Sequence, residues 1–557
     1  LPRLPEGAGW LFLELAGADG PELRDRAAAL VASSGCRDGW SVEVPASAGA
    51  LWRLRSEGAG LAAVALDRPA HAGWEDAAVP VEALGAYLRE FEGLLSLHGL
   101  HALPYGHFGE GCVHARIDFP LDKPDGAARL KAFVEDAADL VGRFGGSLSG
   151  EHGDGRARSA LLPRMYSPEA LAIFSEIKRV FDPHNLFNPG VLVDPAPVDA
   201  SLRLTAPRSL LAQRHPAFAE AAHRCTGVGK CLATSNGVMC PSYRATGEEK
   251  DSTRGRARVL QEMLDGRLVA PDWAAPEVHQ ALELCLACKA CATECPTGVD
   301  VAHLKSVVLN EAYRGKLRPR VHYALGWLPA WGRHVSGVPG LAAALNTVLT
   351  WPWPRRIGSW AAGIGAGQSL PRFARRRTPP LPRGGRPVAV WVDSWSAIFE
   401  GAQLPALVAL LADAGYAPTI VERTACCGLP WTSTGQREHG ARAVKGTLDV
   451  LSPIAQAGVP IVGLEPSCVA ALRGDAAGLV DDPRVGGVIA ALHTPAELLL
   501  SDPAWRPPDL SGLTVVVQPH CHHRAVLGWA ADAALLASTG ASVITVAGCC
   551  GLAGTFG

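Results

Sequence analysis

The chain lacks a dominant charge. Its 52 Lys and Arg balance 54 Asp and Glu to a formal net charge of −2, so the broad one-signed field used by nucleic-acid binders is missing. It also lacks an apolar run of about 20 residues, which excludes a spanning helix. The apolar stretch Leu341 to Trp353, closed by Trp351 and Trp353 beside Arg355 and Arg356, is too short to span. It reads as a buried helix within a linker, with an interfacial helix beside a membrane as the alternative. The start, Leu1-Pro2-Arg3-Leu4-Pro5, has no initiator Met and no basic, then apolar, signal sequence. A disulfide framework is missing as well: the 15 Cys are bunched, twice as neighbours (Cys426-Cys427, Cys549-Cys550), as in thiolate metal sites. That usage fits a reducing, cytoplasmic compartment. Arg outnumbers Lys, and Ala, Gly and Pro abound, a matter of genome composition more than of function.

The length of 557 residues has room for roughly three to four domains. Residues 1–200 alternate strand-like and helix-like stretches. Leu11 to Leu15 reads as a strand, Glu22 to Ala32 as a helix stopped by Gly35, and Val81 to Leu97 as a strongly amphipathic helix. Residues 201–215 read as a polar linker, and 216–320 as mostly helical. Residues 321–385, rich in Pro, Trp and Arg, read as an irregular connector. From Pro387 the pattern is βαβ: a strand at Val388 to Val392, a helix at Leu404 to Ala414, and a strand at Thr419 to Glu422. Further strands follow at Val459 to Leu464 and Thr514 to Gln518. This predicts a parallel sheet flanked by helices, with a Cys-Cys-Gly in each half of a degenerate repeat.

The most specific local pattern is Cys285-Leu-Ala-Cys288-Lys-Ala-Cys291-Ala-Thr-Glu-Cys295-Pro296, the C-x2-C-x2-C-x3-C-P spacing of bacterial ferredoxins. Three thiolates on one tight loop grip a cubane, and the fourth, before Pro, serves a second cluster. Structural zinc or plain thiols are the alternatives. An upstream run, Cys225-x5-Cys231-x8-Cys240-Pro241, has Val228 where the middle Cys of a triplet would stand. By ferredoxin logic Cys240 joins Cys285, Cys288 and Cys291 in a full set. Cys225, Cys231 and Cys295 are then three: a three-iron cluster, an outside ligand such as His223, or no cluster. Arg254, Arg256 and Arg258 follow in Ser252-Thr253-Arg254-Gly255-Arg256-Ala257-Arg258. They either hold negative charge near a reduced cluster or belong to a solvated helix start capped by Ser252 or Thr253.

A different chemistry precedes residue 200. In Tyr105-Gly-His107-Phe-Gly-Glu110-Gly-Cys112-Val-His114 and Gly145-Gly-Ser-Leu-Ser-Gly150-Glu151-His152-Gly-Asp-Gly155, histidines and a carboxylate alternate with glycines that admit positive φ. His107, His114 and Glu151 suit a divalent metal (zinc or manganese) with an open position, or form a polar loop without metal. A metal beside a substrate hydroxyl lowers its pKa, and His152 could take the proton. Loss of hydride from the α-carbon then requires an acceptor such as a flavin.

These segments resemble the C-terminal half of FAD-linked D-2-hydroxy acid dehydrogenases of the vanillyl-alcohol-oxidase type, which act on D-lactate, D-2-hydroxyglutarate or glycolate. So do Leu51-Trp-Arg-Leu-Arg55, Trp74-Glu75-Asp76-Ala-Ala-Val-Pro80 and Phe181-Asp-Pro-His-Asn-Leu-Phe-Asn188-Pro-Gly190. The resemblance implies His107, His114 and Glu151 as metal ligands, His152 as base, Arg55 as carboxylate clamp and Asn188 beside the flavin. Glu110 and Cys112 depart from the Asp and Asn of many relatives. The family's N-terminal FAD-binding domain is expected to be missing from this chain. The 2-hydroxyglutarate enzymes carry a Lys near the position of Trp74, so Trp74-Glu75-Asp76 tilts the expectation to a monocarboxylate, D-lactate. The cysteine runs and the Ser252 to Arg258 segment likewise resemble an iron–sulfur-fused D-lactate dehydrogenase group with a helical ferredoxin fold.

Ala425-Cys426-Cys427-Gly428, Glu465-Pro-Ser-Cys468, His520-Cys521-His522-His523 and Gly548-Cys549-Cys550-Gly551 resemble the Cys-Cys-Gly domain of heterodisulfide reductases and glycolate oxidase iron–sulfur subunits. Vicinal cysteines seldom pair with each other because the ring is strained. The resemblance implies Cys521, Cys549 and Cys550 at one site and Cys426, Cys427 and Cys468 at another, holding a cluster or zinc. Free or redox-switching thiols are the alternative. The first repeat begins Val392-Asp393-Ser394, without the Cys of some relatives, and the domain is expected to be truncated after Gly557.

The expected fold class is multidomain α+β and α/β. Residues 1–200 form the cap half of a vanillyl-alcohol-oxidase-type flavoprotein, 216–320 an α-helical 4Fe-4S ferredoxin domain, 321–385 a connector and 386–557 an α/β Cys-Cys-Gly repeat domain. The expected function is oxidation of a D-2-hydroxy acid through FAD, with electrons leaving by one or two 4Fe-4S clusters to a quinone or protein acceptor. No nucleic acid is expected as partner, and peripheral membrane contact stays open. A non-catalytic electron-transfer module is the alternative from another class.

Overall fold

The computed structural model describes residues 4–17, 20–43, 45–202, 209–234, 237–365, 370–374, 379–382, 384–399, 401–421 and 425–546. The chain divides into two units, 1–206 and 207–557.

The first unit is built on a three-stranded antiparallel sheet of order β1 (Ala77–Ala78), β3 (Cys112–Ile117), β2 (Ala102–His107). The β2–β3 register pairs His107 with Cys112 and Tyr105 with His114. Side chains alternate along a strand, so Tyr105, His107, Cys112, His114 and Arg116 share one face. Val113, Ala115 and Ile117 share the other face, which is core. Helices Leu84–Leu97 and Gly126–Arg143 belong to this core with apolar residues at helical spacing: Leu84, Tyr87, Phe91 and Leu95 from one, Leu130, Phe133, Val134, Ala137 and Val141 from the other. Each Leu, Phe and Val side chain among them contributes roughly 1.5–3 kcal/mol by burial. The hairpin turn needs glycine at 111: its φ is +73°, and a Cβ there would sit 2.0 Å from the Val79 carbonyl oxygen. The helix expected at Glu22 to Ala32 forms as Gly20–Ser33, with Gly35 at φ +67° beyond it. The strand expected at Leu11 to Leu15 does not form. The segment is irregular, with Leu11 and Leu13 exposed, and among the described residues no strand pairs with it.

In the second unit, helices Pro216–His223, Thr253–Asp265, Pro276–Glu283 and Val301–Ala312 enclose the cysteine loops around a core that includes Phe218, Leu260, Met263, Val278 and Leu304. Further on, β4 (Arg386–Trp391), β5 (Tyr416–Ile420), β6 (Ile461–Gly463) and β7 (Leu492–His493) form a parallel sheet of order β5-β4-β6-β7. Strands β8 (Thr514–Val517) and β9 (Ser542–Thr545) form a separate parallel pair. Both faces of β4 are buried: Val388 and Val390 in one cluster, Ala389 and Trp391 in another. That is why it reads as an unbroken apolar run.

The connector expected to be irregular over 321–385 is helical over much of 321–362, with helices Arg320–Ala324, Leu328–Gly337, Leu341–Val348 and Pro352–Ala362. Pro329 and Pro352 open two of these helices instead of breaking them, because the first helical turn has no use for the missing N–H. The segment is tied down by Arg318, which donates to the carbonyls of Thr434 and Gly435, and by Trp327, whose indole N–H donates to Gln436. Leu341–Val348, expected as a buried helix, has no buried residue. Among the described residues no helix is long and apolar enough to cross a membrane.

Candidate functional site

The sheet face of the first unit brings three expected ligands together. Glu151 Oε1 lies 3.1 Å from His107 Nε2 and 3.1 Å from His114 Nε2. The loop that carries Glu151 is pinned beside β1, where Ala78 and Ser147 exchange two backbone hydrogen bonds and the Gly150 N–H donates to the Asp76 carbonyl.

His114 Nδ1 lies 2.7 Å from the Glu75 carbonyl oxygen. A carbonyl only accepts, so this nitrogen carries the proton and Nε2 of a neutral ring presents a lone pair. That lone pair faces a carboxylate oxygen. The arrangement is repulsive unless a proton or a cation lies between them, and an outer N–H bound to a carbonyl is the usual support of a metal-ligating histidine. The donor set therefore fits a divalent cation.

Asp76, in the Trp74-Glu75-Asp76 segment, is a site residue that no local sequence pattern singles out. It is buried beneath the site. Its carboxylate accepts from the backbone N–H of His152 (2.7 Å) and Glu151 (3.0 Å) and from the Ser149 hydroxyl (2.7 Å). Burial alone would raise its pKa, but these donors outweigh burial and hold it below the ordinary carboxylate value. Asp76, Cys112, His114 and Glu151 each place an oxygen, nitrogen or sulfur within 4.8 Å of the others. With its oxygens so engaged, Asp76 positions the loop. Cys112, pushed up to about 12 by burial and by Asp76, stays a thiol.

His152 stacks on His114 with ring centroids 4.9 Å apart and is half-exposed, open to a substrate. Arg55 lies against His107, Nη2 being 2.6 Å from Nδ1 and 2.7 Å from Nε2. It is therefore at the site, but engaged with His107 instead of standing free. Asn188 is exposed, at φ +48°, and the structure does not bring it to this cluster. Trp74 is 2% exposed and packs in the core. Arg116, on the site face beyond His114, pairs with Glu75 at 3.3 Å, and its Nε is buried without an acceptor.

In the second unit Cys240, Cys285, Cys288 and Cys291 line one pocket with Arg256 and Lys289. The loop between the cysteines holds two non-glycine residues, Ala287 (φ +52°) and Lys289 (φ +64°), in left-handed backbone. Such strain persists where surroundings enforce it, here by folding three thiols around one centre. Helix starts aim N–H groups at sulfur: Thr253 donates to Cys240 (3.1 Å), Arg254 to Cys231 (3.3 Å) and Val301 to Cys291 (3.4 Å). These donors and the helix dipoles favour thiolates. Against them, burial pushes Cys288 up to about 12 and Cys291 well above its ordinary value. Metal is what makes such buried sulfurs anionic, and the set fits a cluster.

Cys225, Cys231 and Cys295 are near enough to act on one another electrostatically, and burial pushes Cys225 up to about 11. Val228 is 42% exposed, and the His223 ring bonds back to the Ala219 carbonyl. Ser252 caps helix Thr253–Asp265, but this helix start is buried, not solvated. Arg256 lies beneath the pocket and donates to the Ala281 carbonyl and the Ser242 hydroxyl, whereas Arg254 and Arg258 pair with Glu249 and Glu262.

The later cysteines split. Cys426, Cys427 and Cys468 are buried together, with Cys427 Sγ 3.2 Å from Cys468 Sγ. Asp393 is buried near them, and burial raises its pKa. Cys521 approaches Cys288 instead, and its neighbour His522 lies 2.9 Å from the Ala287 carbonyl, on the cluster loop itself. Cys549 and Cys550 lie outside the described residues.

The comparisons follow this division. Residues 2–192 match the family model of FAD linked oxidases, C-terminal domain. Residues 221–299 match the 4Fe-4S dicluster domain. The first unit is thus similar to an FAD-linked oxidase module, and the second begins with a dicluster-type one. Among curated proteins, the chain is 27% identical over 551 residues to a D-2-hydroxyglutarate dehydrogenase of Escherichia coli, which covers 87% of this chain and 53% of the relative. A D-2-hydroxyglutarate dehydrogenase of Pseudomonas putida is 29% identical over 550 residues, with the same shares. A D-lactate dehydrogenase of Archaeoglobus fulgidus is 34% identical over 118 residues, 21% of this chain and 26% of the relative. The chain spans about half the length of the curated relatives it matches over most of its own length.

Proposed function

We propose that this chain supplies the substrate site and the electron exit of an FAD-dependent D-2-hydroxy acid dehydrogenase. The convergence of His107 and His114 on Glu151, with the His114 tautomer fixed by Glu75, carries this reading. A divalent cation held by these three residues would polarise the substrate hydroxyl, and FAD when bound accepts the hydride. His152, stacked on His114 and open to solvent, takes the hydroxyl proton. Asp76 holds the His152 backbone and so the height of its ring. Arg55 pairs with the substrate carboxylate once it leaves His107. Helix Pro168–Phe181 exposes Ile173, Ile177, Val180 and Phe181 at helical spacing, a face suited to covering by a flavin-binding portion such as the longer relatives have room for. Cys240, Cys285, Cys288 and Cys291 would hold a cluster, which would supply a one-electron path to a quinone or protein acceptor. Cys225, Cys231 and Cys295 hold a second centre, and Cys426, Cys427 and Cys468 a further metal.

For the substrate, we favour D-2-hydroxyglutarate over D-lactate. The relatives matched along most of the chain bear that name. Arg116 stands two residues past His114 on the same face, roughly 7 Å further along the strand, and its guanidinium, now paired with Glu75, is the cation placed to meet a second carboxylate. The test is turnover of the full-length flavoprotein on both acids. His152→Asn lowers kcat by at least about 100-fold on either. Arg116→Met raises KM for D-2-hydroxyglutarate and leaves D-lactate unchanged. Undiminished turnover in His152→Asn defeats the catalytic reading in favour of an electron-transfer module. Equal effects of Arg116→Met on both acids defeat the dicarboxylate one.

A further inference from the structure

One helix of the second unit is inside out. Helix Pro352–Ala362 buries Ser359 and half-buries Gly358 and Ala362, while Trp353, Ile357 and Trp360 are 75%, 63% and 68% exposed. These three sit at i, i+4 and i+7, one stripe along the helix. Trp351, just before the helix, is 60% exposed. Arg356 lies within the same exposed stripe, and the Arg320 guanidinium stands 4.3 Å from the Trp360 ring centroid.

The charge of the sequence segment that carries this stripe has one sign. Between Glu311 and Asp393 the sequence has no carboxylate residue, against twelve Arg and one Lys. In a chain of net charge −2 this is a local segregation. Indole rings favour the boundary between hydrocarbon and water, where the ring is buried and the N–H stays wet. Guanidinium groups beside them complement phosphate headgroups. A protein partner would need matching acidic side chains at fixed positions, whereas an anionic lipid surface needs only the sign and the apolar stripe.

We propose that the Trp353–Ile357–Trp360 face docks on an anionic phospholipid bilayer surface. The helix lies in the headgroup plane, its indoles at the acyl boundary and Arg320 and Arg356 at phosphates. At about 1.5 Å per residue its eleven residues reach roughly half of a hydrocarbon core of about 30 Å, so the contact is peripheral.

The test is sedimentation of the full chain with vesicles of phosphatidylglycerol and phosphatidylcholine, and with phosphatidylcholine alone. The protein pellets with the anionic vesicles, far less with the neutral ones, and is released as salt shortens the Debye length. Trp353→Ser/Trp360→Ser weakens binding at least tenfold. Arg356→Glu weakens it about fivefold or more, the equivalent of one lost cation. Far-UV circular dichroism and iron content stay unchanged, because the stripe supports no core. If the double variant fails to fold, Arg356→Glu decides alone. A wild-type chain that stays in the supernatant with anionic vesicles at low salt overturns the proposal, as do variants that pellet like wild type. Self-association without vesicle binding also overturns it, and assigns the stripe to a second copy.

Discussion

In the first unit the candidate site lies on an open sheet face, with Glu151 and His152 half-exposed. In the second, Cys240, Cys285 and Cys291 are buried and the backbone itself is bent around them. The open site has no wall to hold its loop, so one buried carboxylate, Asp76, gathers the Ser149–His152 segment by hydrogen bonds. In the closed site helix starts donate to Cys240 and Cys291, left-handed residues shape the loop between the cysteines, and Glu294 accepts from the Val238 and Met239 N–H groups beside Cys240. Openness fits a substrate that enters and leaves at each turnover; enclosure fits a resident group that only electrons reach.

The largest effect should come from the closed site. Cys291→Ser removes one of the four sulfurs, and iron content should fall by one whole cluster, with loss of its visible absorption. Full iron content would break the contrast by showing the pocket to be replaceable. Next, Asp76→Asn should leave all three metal-site side chains in place yet weaken metal binding by about 10- to 100-fold, read by metal titration of the protein. Unchanged affinity would mean the loop is held by something else.

A third change probes the cluster loop through charge. Lys289 is buried between Asp300 (2.6 Å) and Asp475, and Lys289→Met leaves two acids uncompensated. A loss of about 3–5 kcal/mol is expected by denaturant unfolding. A neutral outcome would show that the loop does not depend on this ion pair.

The smallest effect concerns pH. Burial beside cationic Arg318 and Lys305 pushes His322 down to about 4 from 6.5. The folded state thus excludes a proton that the unfolded chain accepts. Stability of the second unit should be intact above pH 6.5 and fall as pH drops from 6.5 towards 4, by up to about 3 kcal/mol. His322→Gln should reduce that slope, leaving the part due to the other histidines that burial pushes down (His303, His439, His493, His520 and His522); an unchanged slope would show that His322 does not contribute.

Much of this was legible from sequence because it is local. Amphipathic spacing announced helix Leu84–Leu97, and apolar β-branched runs announced β4, β6 and β8. The hairpin placing His107 and His114 on one face is encoded within a few residues of Gly111. What escaped was long-range. Asp76 reaches Glu151 and His152 across 75 and 76 positions, and His522 reaches Ala287 across 235, which no periodicity records. Leu11 to Leu15 has strand composition, but a strand requires a neighbour. The prolines of 321–385 pointed to breaks, and two of them begin helices instead.

The most direct test of the central claim is anaerobic. The full-length flavoprotein is mixed with D-2-hydroxyglutarate, and flavin bleaching is followed together with the electron paramagnetic resonance of the iron–sulfur centres. Bleaching followed by a reduced-cluster signal, both lost in His152→Asn, is the predicted result. Clusters that reduce with dithionite but stay oxidised with D-2-hydroxyglutarate and D-lactate alike would contradict the account.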